Sequence, residues 1–173
     1  MRVLQMQGLR NCAVIFISLL IFSCSGNGSN PYDMSNTANP APNLITGGQP
    51  SIDDLDKMAK EGVKTIVNLR TKGEFTKFDE KLEVEKLGMK YILIEVDGSD
   101  GITVKNAELL DSVLNEGENT LVHCASSNRV GGLLAYRAFR LKGRTSTEAL
   151  ALGKKAGMKS TEKKVRQLIE ADK

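Results

Sequence analysis

In the segment Thr120–Gly132, TLVHCASSNRVGG, a cysteine and an arginine bracket four small or polar residues, with an apolar run on each side. Each part has a chemical use. A short strand ending at His123 would fix the position of the Cys124 sulfur. Ala125, Ser126, Ser127 and Asn128 carry small side chains, so their backbone N–H groups can turn inward as an anion nest. A helix opening at Val130 would aim its positive end, and the Val130 N–H, at the same point. Arg129 adds a planar fork of donors that matches two oxygens of a tetrahedral oxyanion. Such a field also favours thiolate over thiol, which makes Cys124 a candidate nucleophile.

Other polar residues are candidates to assist. His123 is the chain's single histidine; it is expected to be buried and to support the loop by hydrogen-bonding its backbone. Asp97 and Asp100 stand in VDGSDG, and Asp100, nearer the middle of that segment, is preferred as a proton donor. The alternative for both is turn chemistry, since Asp-Gly pairs favour turns. Arg70 either binds a substrate anion or pairs with Glu74, the ion pair being favoured. One histidine and one usable cysteine are too few to ligate a metal, so neither a metal nor another cofactor is expected.

The elements that must position these residues can be read from periodicity and punctuation. Leu44–Thr46 and the β-branched run Val63–Leu69 read as strands, as do Met89–Val96 and Thr120–His123. Helices are expected after Ser51, which can form a capping box with Asp54, and over Glu74–Leu87, Thr103–Glu116 and Val130–Leu141, then near Ser146–Ala156 and Thr161–Ala171. Short apolar strands alternating with helices predict an α/β fold with a mostly parallel central sheet of about four to five strands, flanked by helices. In such sheets ligands bind beyond the carboxyl ends of the strands. Arg70–Gly73, Asp97–Ile102 and Cys124–Arg129 all fall there.

The His-Cys start and the Arg before an apolar helix resemble the signature loop of the cysteine-dependent protein tyrosine phosphatases. LITGGQPS followed by a helix, then GVKTIVNLR and Glu74, is similar to the bacterial dual-specificity-like branch. The resemblance implies a phosphatase-like fold over about Leu44–Ala171 and attack of Cys124 on phosphorus. Arg129 and the loop amides would hold the oxygens, and an acid from the Asp97–Ile102 segment would protonate the leaving oxygen. The loop departs from that pattern in having four residues between Cys and Arg instead of five, Ser126-Ser127 where a glycine is usual, and Val130 where a hydroxyl usually follows the arginine. The same spacing occurs in rhodanese-like sulfurtransferase loops, although Ala125 replaces the arginine often found there. A Cys124 persulfide carrier and a non-catalytic oxyanion-binding lipoprotein are therefore alternatives to a phosphomonoesterase.

The first 23 residues read as an export signal: Arg2 and Arg10, then an apolar run over Cys12–Phe22. Ile21-Phe22-Ser23-Cys24 resembles a bacterial lipobox, implying cleavage before Cys24, lipidation of that cysteine, and Ser25 directing the protein to the outer membrane, facing the periplasm. With Cys12 removed and Cys24 acylated, Cys124 is the one thiol left in an oxidising compartment. Residues 24–43, rich in Ser, Asn, Gly and Pro, are expected to tether the lipid to a single domain spanning 44–173. The formal charge is +3, of which Arg2 and Arg10 supply two; this excludes the strong basic face of a nucleic-acid binder. The expected partners are a phosphorylated or other oxyanion substrate and a membrane, and the domain is expected to be a monomer.

Overall fold

The computed structural model describes residues 30–114 and 117–172. The expected leader and Cys24 lie outside the described residues. Five strands and six helices follow in the order β1 (Ala38–Ala41), β2 (Leu44–Gly47), α1 (Ile52–Lys60), β3 (Thr65–Asn68), α2 (Glu80–Lys86), β4 (Lys90–Leu93), α3 (Val104–Leu114), β5 (Thr120–His123), α4 (Asn128–Lys142), α5 (Ser146–Lys155) and α6 (Glu162–Ala171). The sheet order is β1-β2-β5-β3-β4. Only the β1 edge is antiparallel; the β2–β5, β5–β3 and β3–β4 pairs are parallel. The α/β architecture expected from the sequence is the one observed.

Register places the site. Thr120 is opposite both Leu44 and Thr65, so His123 ends level with Gly47 and Asn68. Cys124 therefore emerges at the carboxyl edge, from the central strand. Alternation along β5 serves two cores: Leu121 packs with Leu55, Met58, Ile66 and Val84 on one face, and Val122 packs with Val67, Val130, Leu133 and Leu134 on the other. Helix α4 is the most deeply buried, and burying each of its large apolar side chains contributes about 1.5–3 kcal/mol. It can sit that deep because Gly131 has no side chain: a Cβ there would stand 2.3 Å from the Met158 nitrogen.

The N-terminal boundary differs from expectation. Residues 30–43 are part of the domain, not of a tether. Tyr32 and Met34 are buried in the second core, and β1 pairs with β2. The Tyr32 hydroxyl donates to Glu61, and the Asp33 N–H donates to Asp54 Oδ1 at 2.9 Å. Two apolar anchors spaced by polar residues leave no periodic signal, which is why the segment reads as linker. Helix α2 is also shorter than expected, because Asp79 caps it by accepting from the Leu82 N–H at 3.1 Å. Residues 74–79 thereby become a loop at the carboxyl edge. Helix α4 opens at Asn128, two residues before the expected Val130.

Candidate functional site

Cys124 is buried, 1% exposed, and its N–H donates to the Gly47 carbonyl at 3.3 Å. The four residues after it turn the chain into α4. Ser127 makes the turn with a left-handed φ of 63°, which is costly for a side-chain-bearing residue unless its surroundings hold it. They do: its hydroxyl donates to the Ala156 carbonyl at 2.8 Å. Asn128 is tied to the same α5–α6 connection. Its Oδ1 accepts from the Lys159 N–H at 2.7 Å and from Thr161 Oγ1 at 3.1 Å, its Nδ2 donates to Ser160 Oγ at 2.8 Å, and its carbonyl accepts from Thr161 Oγ1 at 2.9 Å. On the other flank Asn36 Nδ2 donates to the Ser126 carbonyl at 3.1 Å. The Ser127 and Asn128 side chains thus clamp the loop from behind. The first bond of α4 runs from the Gly131 N–H to the Ser127 carbonyl. The N–H groups of Asn128, Arg129 and Val130 precede it in the first turn of the helix, where an α-helix has no partner of its own to offer them.

Arg129 is held from the opposite side, its side chain 11% exposed. Its Nη1 donates to the Val96 carbonyl at 3.0 Å and to Glu74 Oε2 at 2.9 Å, and its Nη2 donates to Glu74 Oε1. The hydrogen bonds it donates to Glu74 raise the guanidinium pKa above its ordinary value against the effect of burial, and the Cys124 sulfur adds to the rise. Glu74 falls to about 2, chiefly through the bond from Arg129, against burial and with help from the Thr71 N–H. Arg70 also faces Glu74, its Nε 3.4 Å from Oε1. The Arg70–Glu74 pair expected from sequence is present, but Arg129 shares the carboxylate.

His123 is fully buried, as expected, but its ring is not turned to the loop backbone. Its Nε2 lies 3.0 Å from Glu80 Oε1, off the line of an ideal hydrogen bond. Its Nδ1 meets no hydrogen-bond partner among the described residues. Burial opposes ionisation of Glu80, yet His123, Gln49 and Asn68 outweigh it and hold the carboxyl below the usual range. The GGQP turn packs beneath the loop, with Gly48 bridged to Ser126.

The two aspartates separate. Asp100 does not enter the site: its side chain is 97% exposed and 3.5 Å from Lys164. The Gly101 N–H closes a tight turn on the Asp97 carbonyl at 2.8 Å, and this turn carries Asp100 outward. Asp97 directly follows Val96, whose carbonyl Arg129 holds, and so stands at the mouth of the site. A cleft of about 570 Å³ opens beside Arg70 and Glu74, lined also by Pro50, Phe75, Lys77 and Phe78. Arg70 stacks over the Phe75 ring at 5.0 Å, and Phe75 meets Phe78 edge-on.

Glu74 as partner of Arg129, and Glu80, were not read from the sequence. Glu74 was matched by spacing to Arg70, and a second arginine from β5–α4 leaves no local trace. Glu80 was hidden inside the overlong helix; the Asp79-Glu80 pair, an acidic N-cap and first turn, was the available signal.

No family model matches the chain, and no curated protein matches it in sequence. Solved structures do. A candidate phosphatase of the DUF442 group from Shewanella putrefaciens superposes with a TM-score of 0.64 at 20% identity, covering 80% of this chain and 88% of its own. A candidate phosphatase from Neisseria meningitidis gives 0.64 at 20% identity, over 79% and 98%. TpbA of Pseudomonas aeruginosa, in complex with phosphotyrosine, gives 0.57 at 16% identity, over 78% and 82%. At these identities the likeness shows the fold, which is phosphatase-like.

Proposed function

We propose that the chain is a phosphomonoesterase working through a Cys124 phosphocysteine. One observation carries this reading: a buried cysteine directly follows the central strand and, five residues on in the first turn of α4, Arg129 is held in place by Glu74 and the Val96 carbonyl. The phosphoryl oxygens would take the Arg129 edge that faces Cys124 and the first-turn amides of α4. The Cys124 thiolate attacks phosphorus, the ester bond breaks, and the leaving oxygen takes a proton from the Asp97 carboxyl. Water then attacks the phosphorus of the phosphocysteine, Asp97 accepts its proton, the S–P bond breaks, and phosphate and thiolate separate. The ester's organic portion would lie in the cleft lined by Phe75 and Phe78.

Hydrolysis of an aryl phosphate by the exported domain, lost in Cys124→Ser, tests the reading. The short loop favours one second reading, sulfur transfer through a Cys124 persulfide. Thiosulfate-to-cyanide transfer without phosphatase activity would establish it in place of the first. The lipobox-like Ile21–Cys24 supports an envelope location, with a lipid on Cys24 holding the domain at the outer membrane toward the periplasm. Labelled palmitate should enter the chain and be absent from Cys24→Ala.

A further inference from the structure

Beneath the site lies a carboxylate surrounded by donors. Glu80, its side chain 5% exposed, opens α2. Its Oε1 accepts from Gln49 Nε2 at 2.8 Å and faces His123 Nε2; its Oε2 accepts from Asn68 Nδ2 at 2.7 Å. A carboxylate can only accept. It therefore fixes which way round both amides stand, turning their NH2 groups inward and their oxygens outward. Both oxygens meet the same residue. Gln49 Oε1 accepts from Arg70 Nη1 at 3.0 Å, and Asn68 Oδ1 accepts from the Arg70 backbone N–H at 2.7 Å. Arg70 donates onward to the Glu74 carbonyl and lies beside its carboxylate, and Glu74 grips Arg129. The network has a polarity, and Glu80 is its source.

We propose that Glu80 is a positioning residue for oxyanion binding. By orienting Gln49 and Asn68 it aims Arg70 at Glu74, and so keeps Arg129 facing Cys124. The inference rests on the anion-binding reading of the Cys124–Arg129 loop. In Glu80→Gln one amide at position 80 must present NH2 to either Gln49 or Asn68. That neighbour must flip or lose its bond, and a flipped amide turns NH2 toward an N–H of Arg70. The double swap Glu80→Gln with Gln49→Glu restores the acceptors of Asn68 and Arg70: the new amide donates to position 49, accepts from Asn68 and leaves His123 Nε2 to accept as the other tautomer, and the new carboxylate still accepts from Arg70.

The test uses the full chain, with iodoacetamide labelling of Cys124 read by peptide mass and vanadate as the probe. Vanadate should protect the natural sequence saturably; no protection overturns the anion-binding reading itself. Given protection, the half-protecting concentration should rise about tenfold in Glu80→Gln, the scale of one misdirected bond to a charged group. It should return to within about threefold of the natural value in the swap. An unchanged value in Glu80→Gln, or a folded swap no better than the single variant, overturns the proposal. Should Glu80→Gln fail to fold, Gln49→Ala on the half-buried rim decides: it removes the Arg70 acceptor without burying a lone charge. Weakened vanadate protection at an unchanged melting temperature supports the proposal, and unchanged protection overturns it.

Discussion

Two loops at the carboxyl edge of the sheet treat their candidate functional side chains differently. The Cys124–Arg129 loop is clamped on every side: Ser127 and Asn128 bond to the α5–α6 connection, Ser126 is held by Asn36, and Arg129 is held by Glu74 and Val96. The Asp97–Ile102 loop is held by bonds within itself, Gly101 N–H to the Asp97 carbonyl and Ile102 N–H to the Ser99 carbonyl, by Asn106 Nδ2 on the Gly101 carbonyl and by the buried Ile102, but its two carboxylates are exposed. The difference matches the demands of the chemistry proposed above. A cup that stabilises charge acts through dipoles fixed before the reaction, so it must be rigid. An acid that meets a range of leaving groups need only arrive at the ester oxygen.

The comparison can be broken most severely at Arg129. Arg129→Ala removes the charged wall of the cup and leaves Glu74 without its bidentate partner. Aryl phosphate hydrolysis should fall by about 10³-fold or more, in kcat more than in KM. Next in size is the acid. Asp97→Asn should cost about 10²–10³-fold for alkyl phosphates, less for aryl phosphates whose leaving group needs no proton. Asp100→Asn should stay within about twofold, and the reverse pattern would restore the sequence-based preference for Asp100. Asn128→Ala sharpens the account of rigidity: losing its clamp should lower stability by about 1–3 kcal/mol in denaturant unfolding and weaken vanadate protection of Cys124. A stability loss with unimpaired protection would show that the clamp serves the fold alone.

The smallest effect is a pH dependence. Glu74 has its pKa lowered to about 2 in the folded state, chiefly by Arg129. A lowered carboxylate contributes stability above its unfolded pKa, and that contribution is lost as pH falls toward the folded value. Melting temperature should therefore decline between about pH 4.5 and pH 2, and less steeply in Glu74→Gln. Equal slopes in the two proteins would mean that the pair is exposed enough to be worth little.

The parts of the site that lie together in sequence could be read there. Strand β5, its loop and α4 are contiguous, so the strand end at His123, the loop that follows and the helix after it were legible from the apolar runs and the small residues between them. The parts delivered by folding could not. Glu74 and Glu80 come from a loop and a helix start that differ only by where α2 begins, and a single capping aspartate, Asp79, decides that. Asp100 looked better placed than Asp97 because chain position was the only guide; the Gly101 turn, closed by a backbone bond, reverses the order. Tyr32 and Met34 show the same blindness at the N-terminus. Two buried side chains in a polar segment join it to the domain, and no periodicity announces them.

Acid quenching of Asp97→Asn during turnover of an aryl phosphate, followed by intact-protein and peptide mass, tests the central claim most directly. With the leaving group independent of protonation and the hydrolytic step slowed, one phosphoryl group should accumulate on Cys124. Turnover with no adduct, or an adduct on any other residue, would contradict the account.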